Sequence, residues 1–127
     1  MDKHKILIID DEINICKLLK LNLESTGQYS VDTVTSGEEG LDKVKAINYD
    51  LVITDYCLPG MNGADVLNSL KRINPESPVI LFSIYSDDDS KINSKIKGKA
   101  DGLISKPIDH KQLHTAIQKA LKKNKQN

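Results

Sequence analysis

Short, unbroken apolar runs recur along the chain: "ILII" at 6–9, "LVI" at 51–53 and "VILF" at 79–82, with the weaker "SVDTV" at 30–34 and "GLIS" at 102–105. Alternating strands leave one face wet, whereas unbroken runs mark strands covered on both faces, as in a parallel sheet. Between the runs, apolar residues return at helical spacing. Ile13, Cys16, Leu19 and Leu23 form one stripe; Leu41, Val44 and Ile47 a second; Val66, Leu67, Leu70 and Ile73 a third; Leu113, Ala116, Ile117, Ala120 and Leu121 a fourth. Ser36 with Glu39, and Asp109 with Gln112, have the spacing of a capping box. The segment "SDDDSKINSKIKGKAD" at 86–101 offers only Ile92 and Ile96 as a helical face, which predicts a weak helix and the most mobile element. Five strands alternating with five helices predict an α/β sandwich with right-handed crossovers.

In such a fold the functional crevice lies beyond the carboxyl ends of the strands. The residues just after the apolar runs are Asp10, Asp11 and Glu12, then Asp55, Ser83 and Lys106. Carboxylates gathered this closely push one another toward protonation unless a cation intervenes. Mg²⁺ takes oxygen ligands from one or two carboxylates together with waters and phosphate oxygens, and Asp11 with Asp55 offers such a partial shell. The backbone carbonyl of Cys57 is a candidate further ligand, because "CLPGMNG" at 57–63 leaves the strand through a Pro-Gly turn that exposes backbone groups. A cation, an ammonium and a hydroxyl around one carboxylate are the parts that stabilise a phosphoryl group in transfer. Asp55 is therefore the expected nucleophile, with aspartyl phosphate as product. Each residue has a plainer reading alone: "DDE" as a helix cap, Asp55 as a turn residue, "KP" as a strand stop. Their conjunction at four strand ends favours the phosphoryl reading.

Composition narrows the partners. The 127 residues suit one domain, 1–127, with a tail from about 123 as a linker stub. Lys and Arg number 18 against 18 Asp and Glu, so the balance gives no argument for nucleic acid or an anionic membrane. No apolar run approaches the roughly 20 residues a bilayer requires, and a cytoplasmic protein is expected. Cys16 and Cys57 have neither metal nor disulfide spacing and read as reduced thiols. His4, His110 and His114 read as surface residues.

The ordered set "KILIIDDE", "DLVITDYCLPGMNG", "PVILFS" and "LISKPID" resembles a receiver domain of bacterial-type two-component response regulators over essentially the whole chain. The resemblance implies a flavodoxin-like (βα)5 doubly wound parallel sheet of strand order 2-1-3-4-5. It implies Asp55 as phosphoacceptor, Asp10 and Asp11 as the acidic pair serving Mg²⁺, Ser83 as the switch hydroxyl and Lys106 as the phosphate-contacting lysine. It implies a sensor histidine kinase or phosphotransfer protein as donor. The face of the fourth helix, fifth strand and fifth helix would serve an effector or a phosphorylation-dependent homodimer. On this reading the chain is a switch and not an enzyme that turns over a substrate. Two positions depart from the family pattern: Ile84 stands where a small residue is usual, and Leu103 where an aromatic ring is usual, with Tyr85 a candidate substitute. The rivals are a degenerate receiver that binds without phosphorylation and a haloacid dehalogenase-like phosphatase. The latter would need a second aspartate where Cys57 stands.

Overall fold

The computed structural model describes residues 3–83 and 99–125. Ile84, Tyr85 and nearly all of the weak helix expected over 86–101 lie outside the described residues. The described elements are β1 His4–Ile9, α1 Ile13–Glu24, β2 Tyr29–Val34, α2 Gly37–Ala46 and β3 Leu51–Asp55. A small hairpin of β4 Cys57–Leu58 and β5 Met61–Asn62 follows, then α3 Gly63–Ile73, β6 Val79–Ser83, β7 Gly102–Ser105 and α4 His110–Lys125. The large sheet has the order β2-β1-β3-β6-β7 with every neighbouring pair parallel. With the hairpin left out of the count, this is the expected 2-1-3-4-5.

The unbroken runs are the sheet's interior. All residues of β3 and β6 are buried, whereas β2 and β7, the two weaker runs, are edge strands with partly exposed positions. Successive side chains point to opposite faces. Ile6, Ile8, Leu51, Ile53, Ile80 and Phe82 therefore meet α1 and α4 in one cluster, while Leu7, Ile9, Val52, Val79 and Leu81 meet α2 and α3 in the other. Each fully buried Leu or Ile contributes about 1.5–3 kcal/mol of hydrophobic free energy, and burial on both faces holds the strand ends in fixed register.

The helix stripes differ from expectation in detail. Cys16, Leu19 and Leu23 face the core, but Ile13 is 57 % exposed, and Ile15 packs against the cluster in its place. Ile13 begins the helix beyond the end of β1, where no sheet remains to cover it. Ser36 caps α2 by accepting from Glu39 N at 3.2 Å, and Glu39 returns its carboxylate to the Ser36 hydroxyl. Asp109 accepts from Lys111 N at 2.9 Å.

Two close approaches have no periodic signal. Gly40 of α2 lies directly on Ile9, and Gly63, which opens α3, lies on the backbone of Tyr56. A Cβ at Gly63 would stand 2.5 Å from Tyr56 O and 2.7 Å from its Cα. Lys71 of α3 donates to Asp101 at 2.7 Å and to Ser77 O at 3.0 Å, and Asp101 also accepts from Val79 N at 2.9 Å. This ties the start of β7 to α3.

Because a Cβ at Gly63 would meet Tyr56 backbone as well as its ring, and the backbone cannot swing aside, Gly63→Ala is expected to cost about 1–3 kcal/mol. Urea denaturation against the parent chain checks this.

Candidate functional site

Three strands deliver carboxylates or their partner to one end of the sheet. Asp10 follows β1, is fully buried, and accepts from Glu12 N through Oδ1 at 2.9 Å. Asp55 is the last residue of β3, 6 % exposed, and accepts from Cys57 N through Oδ1 at 3.1 Å. Lys106 follows β7 at a cis bond to Pro107. Its Nζ donates to Asp55 Oδ2 at 2.9 Å and to Glu12 Oε1 at 3.3 Å, and lies 3.2 Å from Asp10 Oδ2. Asp11 is exposed and still belongs to the group: one oxygen each of Asp10, Asp11 and Asp55 lies within 4.8 Å of the others.

Ser83 ends β6 and is buried. Its strand is paired with β3 so that Asp55 stands opposite Phe82, which places Ser83 one step beyond, and its carbonyl accepts from Lys106 N at 3.1 Å. Sheet pairing thus brings Asp10, Asp55, Ser83 and Lys106 to the same edge of the crevice. Cys57 leads into the hairpin, its thiol exposed, and Gly60 takes the positive φ of 76° that a Pro-Gly turn requires at its second central residue. Leu103 is half-buried and stands opposite Leu81, giving an apolar contact in the place of a hydrogen-bonding ring.

The plainer reading of "DDE" as a helix cap does not hold. Glu12 occupies the N-cap of α1 without a side-chain cap bond, and its carboxylate goes to Lys106. The histidines are also less free than a surface reading implies. His114 Nε2 lies 2.9 Å from Asn22 Oδ1 of α1, and His110 Nδ1 is buried with no hydrogen-bond partner. Both cysteines are free as expected, and Cys16 lies buried with Sγ 3.3 Å from the Asp10 carbonyl. Burial, reinforced by the Asp10 charge, pushes its thiol up to about 11, which makes it unreactive.

The electrostatics are those of a site short of positive charge. Burial raises the Asp10 carboxyl above the usual carboxylate range, the Asp55 charge adds to this, and the Glu12 amide and Lys106 only partly oppose it. Burial alone would lower the Lys106 ammonium, but Asp55 and then Asp10 hold it well above the ordinary lysine value. Lys106 is therefore fully charged at neutral pH. Asp10 Oδ2 is buried, and its charged neighbour is Lys106 Nζ at 3.2 Å. That buried oxygen, with one oxygen each of Asp11 and Asp55 within 4.8 Å, makes a hard, all-oxygen donor set, and it fits a hard divalent cation.

A raised folded-state pKa means that the folded chain binds the Asp10 proton more tightly than the unfolded chain does. Stability therefore falls as pH rises through the window above the ordinary carboxylate value. Asp10→Asn, which keeps the Oδ1 bond to Glu12 N and removes the charge, is expected to stabilise the metal-free protein by on the order of 1 kcal/mol at pH 7. Thermal melts across pH check this: the gain should be full near neutrality and shrink toward acid.

The sequence profile of the response regulator receiver domain matches residues 6–118. The chain is 37 % identical over 124 residues to the uncharacterized transcriptional regulatory protein YkoG of Bacillus subtilis, covering 98 % of this chain and 54 % of that protein. It is 34 % identical over 120 residues to the transcriptional regulatory protein ZraR of Escherichia coli, covering 94 % of this chain and 27 % of that one. It therefore spans about half of the first relative and about a quarter of the second. Among solved structures, a receiver domain protein from Clostridium thermocellum superposes with a TM-score of 0.85 at 34 % identity, covering 97 % and 98 % of the two chains. The response regulator TrrA from Thermotoga maritima, solved in complex with Mg²⁺-BeF, superposes at 0.82 with 35 % identity, covering 93 % and 99 %. On sequence profile, relatives and fold together, the chain belongs to the receiver domain family of two-component response regulators.

Proposed function

We propose that Asp55 is the phosphoacceptor of this receiver domain, taking a phosphoryl group from the phosphohistidine of a sensor histidine kinase or phosphotransfer protein. The observation that carries this is the single cluster of Asp10, Asp11 and Asp55 with Lys106 2.9 Å from the Asp55 carboxylate. An Asp55 oxygen attacks phosphorus; the new O–P bond forms as the P–N bond breaks, and the imidazole leaves with the electron pair. Asp10, Asp11, Asp55 and the Cys57 carbonyl would hold Mg²⁺, which supplies positive charge to the phosphoryl oxygens when bound. That TrrA, 35 % identical, was solved in complex with Mg²⁺-BeF supports Mg²⁺ as the cation.

The chain's own groups do the rest. Lys106 is anchored beside Asp55 before any phosphoryl arrives, so its charge meets the growing charge without reorganisation. Asp10 keeps Lys106 in place and offers an oxygen to the cation. Ser83, on the strand beside Asp55, donates its hydroxyl to a phosphoryl oxygen. Cys57 N, already bonded to Asp55 Oδ1, fixes the rotation of the carboxylate.

Phosphorylation of the chain's own aspartate happens once per donor encounter, so the result is a switch. The modification adds about −1.5 to −2 charge at pH 7. Driving a two-state face from 1:99 to 99:1 takes about 5.5 kcal/mol of differential interaction. The face that responds includes β7 and α4, and it serves an effector or a second receiver. Residues 1–127 act as one receiver, in the cytoplasm, without direct contact to nucleic acid or membrane; α4 runs to Lys125, so the linker expected from about 123 is helix up to that residue. No helix among the described residues is long and apolar enough to cross a membrane.

Intact mass after incubation with Mg²⁺ and acetyl phosphate tests the reading. One added phosphate that requires Mg²⁺ and is lost in Asp55→Asn is the expected result. An adduct that survives Asp55→Asn, or no adduct from either the small donor or a phosphorylated kinase, overturns it.

A further inference from the structure

We propose that Glu12 is a positioning residue that competes with the phosphoryl group for Lys106, an inference that rests on the phosphoacceptor reading above. Glutamate is a poor N-cap beside Ser, Thr, Asp or Asn. At position 12 it does not cap at all: its carboxylate makes no bond to the first turn of α1 and instead reaches Lys106 Nζ at 3.3 Å, across 94 residues of sequence.

Lys106 does not need Glu12 to stay in the crevice. Its side chain is 13 % exposed, it donates to Asp55 at 2.9 Å, and it lies 3.2 Å from the fully buried Asp10 carboxylate. Glu12, at 58 % side-chain exposure, stands on the solvent side of the ammonium. Its pull is therefore outward, away from the floor of the crevice where Asp10 and Asp55 lie.

An ammonium has three protons. They meet three carboxylates, Asp55 at 2.9 Å, Asp10 at 3.2 Å and Glu12 at 3.3 Å. A phosphoryl group on Asp55 brings three further acceptor oxygens to the same ammonium. The Glu12 contact is the longest of the three and its acceptor, the most exposed, is the most readily rehydrated, so it is the bond exchanged. Glu12 thereby favours the unmodified arrangement of Lys106 and weakens the hold of the site on a tetrahedral anion.

The test is binding of beryllium fluoride, a tetrahedral phosphoryl mimic, with saturating Mg²⁺ to the parent chain, Glu12→Ala and Glu12→Asp, measured by calorimetry. Exposed ion pairs are weak, so removal of the contact is expected to tighten binding by about two- to five-fold. Glu12→Ala removes both charge and contact. Glu12→Asp keeps the charge and is one methylene too short for a contact already at 3.3 Å. Tightening in both variants supports competition for Lys106. Tightening in Glu12→Ala with parent-like binding in Glu12→Asp means that only net charge matters, and overturns the proposal. Unchanged or weaker binding in Glu12→Ala also overturns it, the latter by making Glu12 an anchor. If the parent chain binds no beryllium fluoride with Mg²⁺, the phosphoacceptor reading falls as well, and the two failures are thus distinguishable.

Discussion

Everything at the carboxyl edge of this sheet is organised around one buried ammonium. Lys106 Nζ stands 2.9 Å from Asp55 and 3.2 Å from Asp10, two carboxylates that β1 and β3 deliver almost fully desolvated. A lone buried carboxylate is costly, and two of them side by side are costlier. One positive charge offsets part of this and leaves the site net negative. The remaining deficit raises the Asp10 carboxyl, burial first and the Asp55 charge after it, although Lys106 lies 3.2 Å from its Oδ2. A site built in this way is incomplete in a defined sense: it favours whatever brings further positive charge, and with that charge in place it can accept a phosphoryl group.

The fold makes that arrangement rigid by putting each charged residue immediately after a strand buried on both faces. Parallel register sets the level of every strand end. Asp55 opposite Phe82, and Ser83 opposite Ser105, put Asp55, Ser83 and Lys106 at neighbouring strand ends. The two clusters behind the sheet fix those positions from both sides, with α1 and α4 on one face and α2 and α3 on the other. Gly63 extends the same control past Asp55, because only a residue without a side chain lets α3 start against the Tyr56 backbone.

The sheet and the membership of the site were legible in the sequence because both rest on local signals. Unbroken apolar runs identified the interior strands, and the residue after each run identified a member of the cluster. The weaker "SVDTV" and "GLIS" proved to be edges, where one side of the strand needs less apolar cover. What escaped depends on contacts between distant segments. Nothing near Lys71 in sequence announces Asp101, 30 residues away. The exposed Ile13 reflects where the sheet ends, which helical spacing does not encode. Gly40 and Gly63 look like ordinary glycines until the neighbouring backbone or side chain is placed against them.

The charge deficit is the central claim, and the Asp10 carboxyl reports it directly. Carbon-13 NMR of that carboxyl, titrated with and without Mg²⁺, separates the alternatives. The account predicts a midpoint above the usual carboxylate range in the metal-free protein and a downward shift when Mg²⁺ is added. A metal-free midpoint at or below that range, with no response to Mg²⁺, would mean that Lys106 alone satisfies the cluster and would contradict the account.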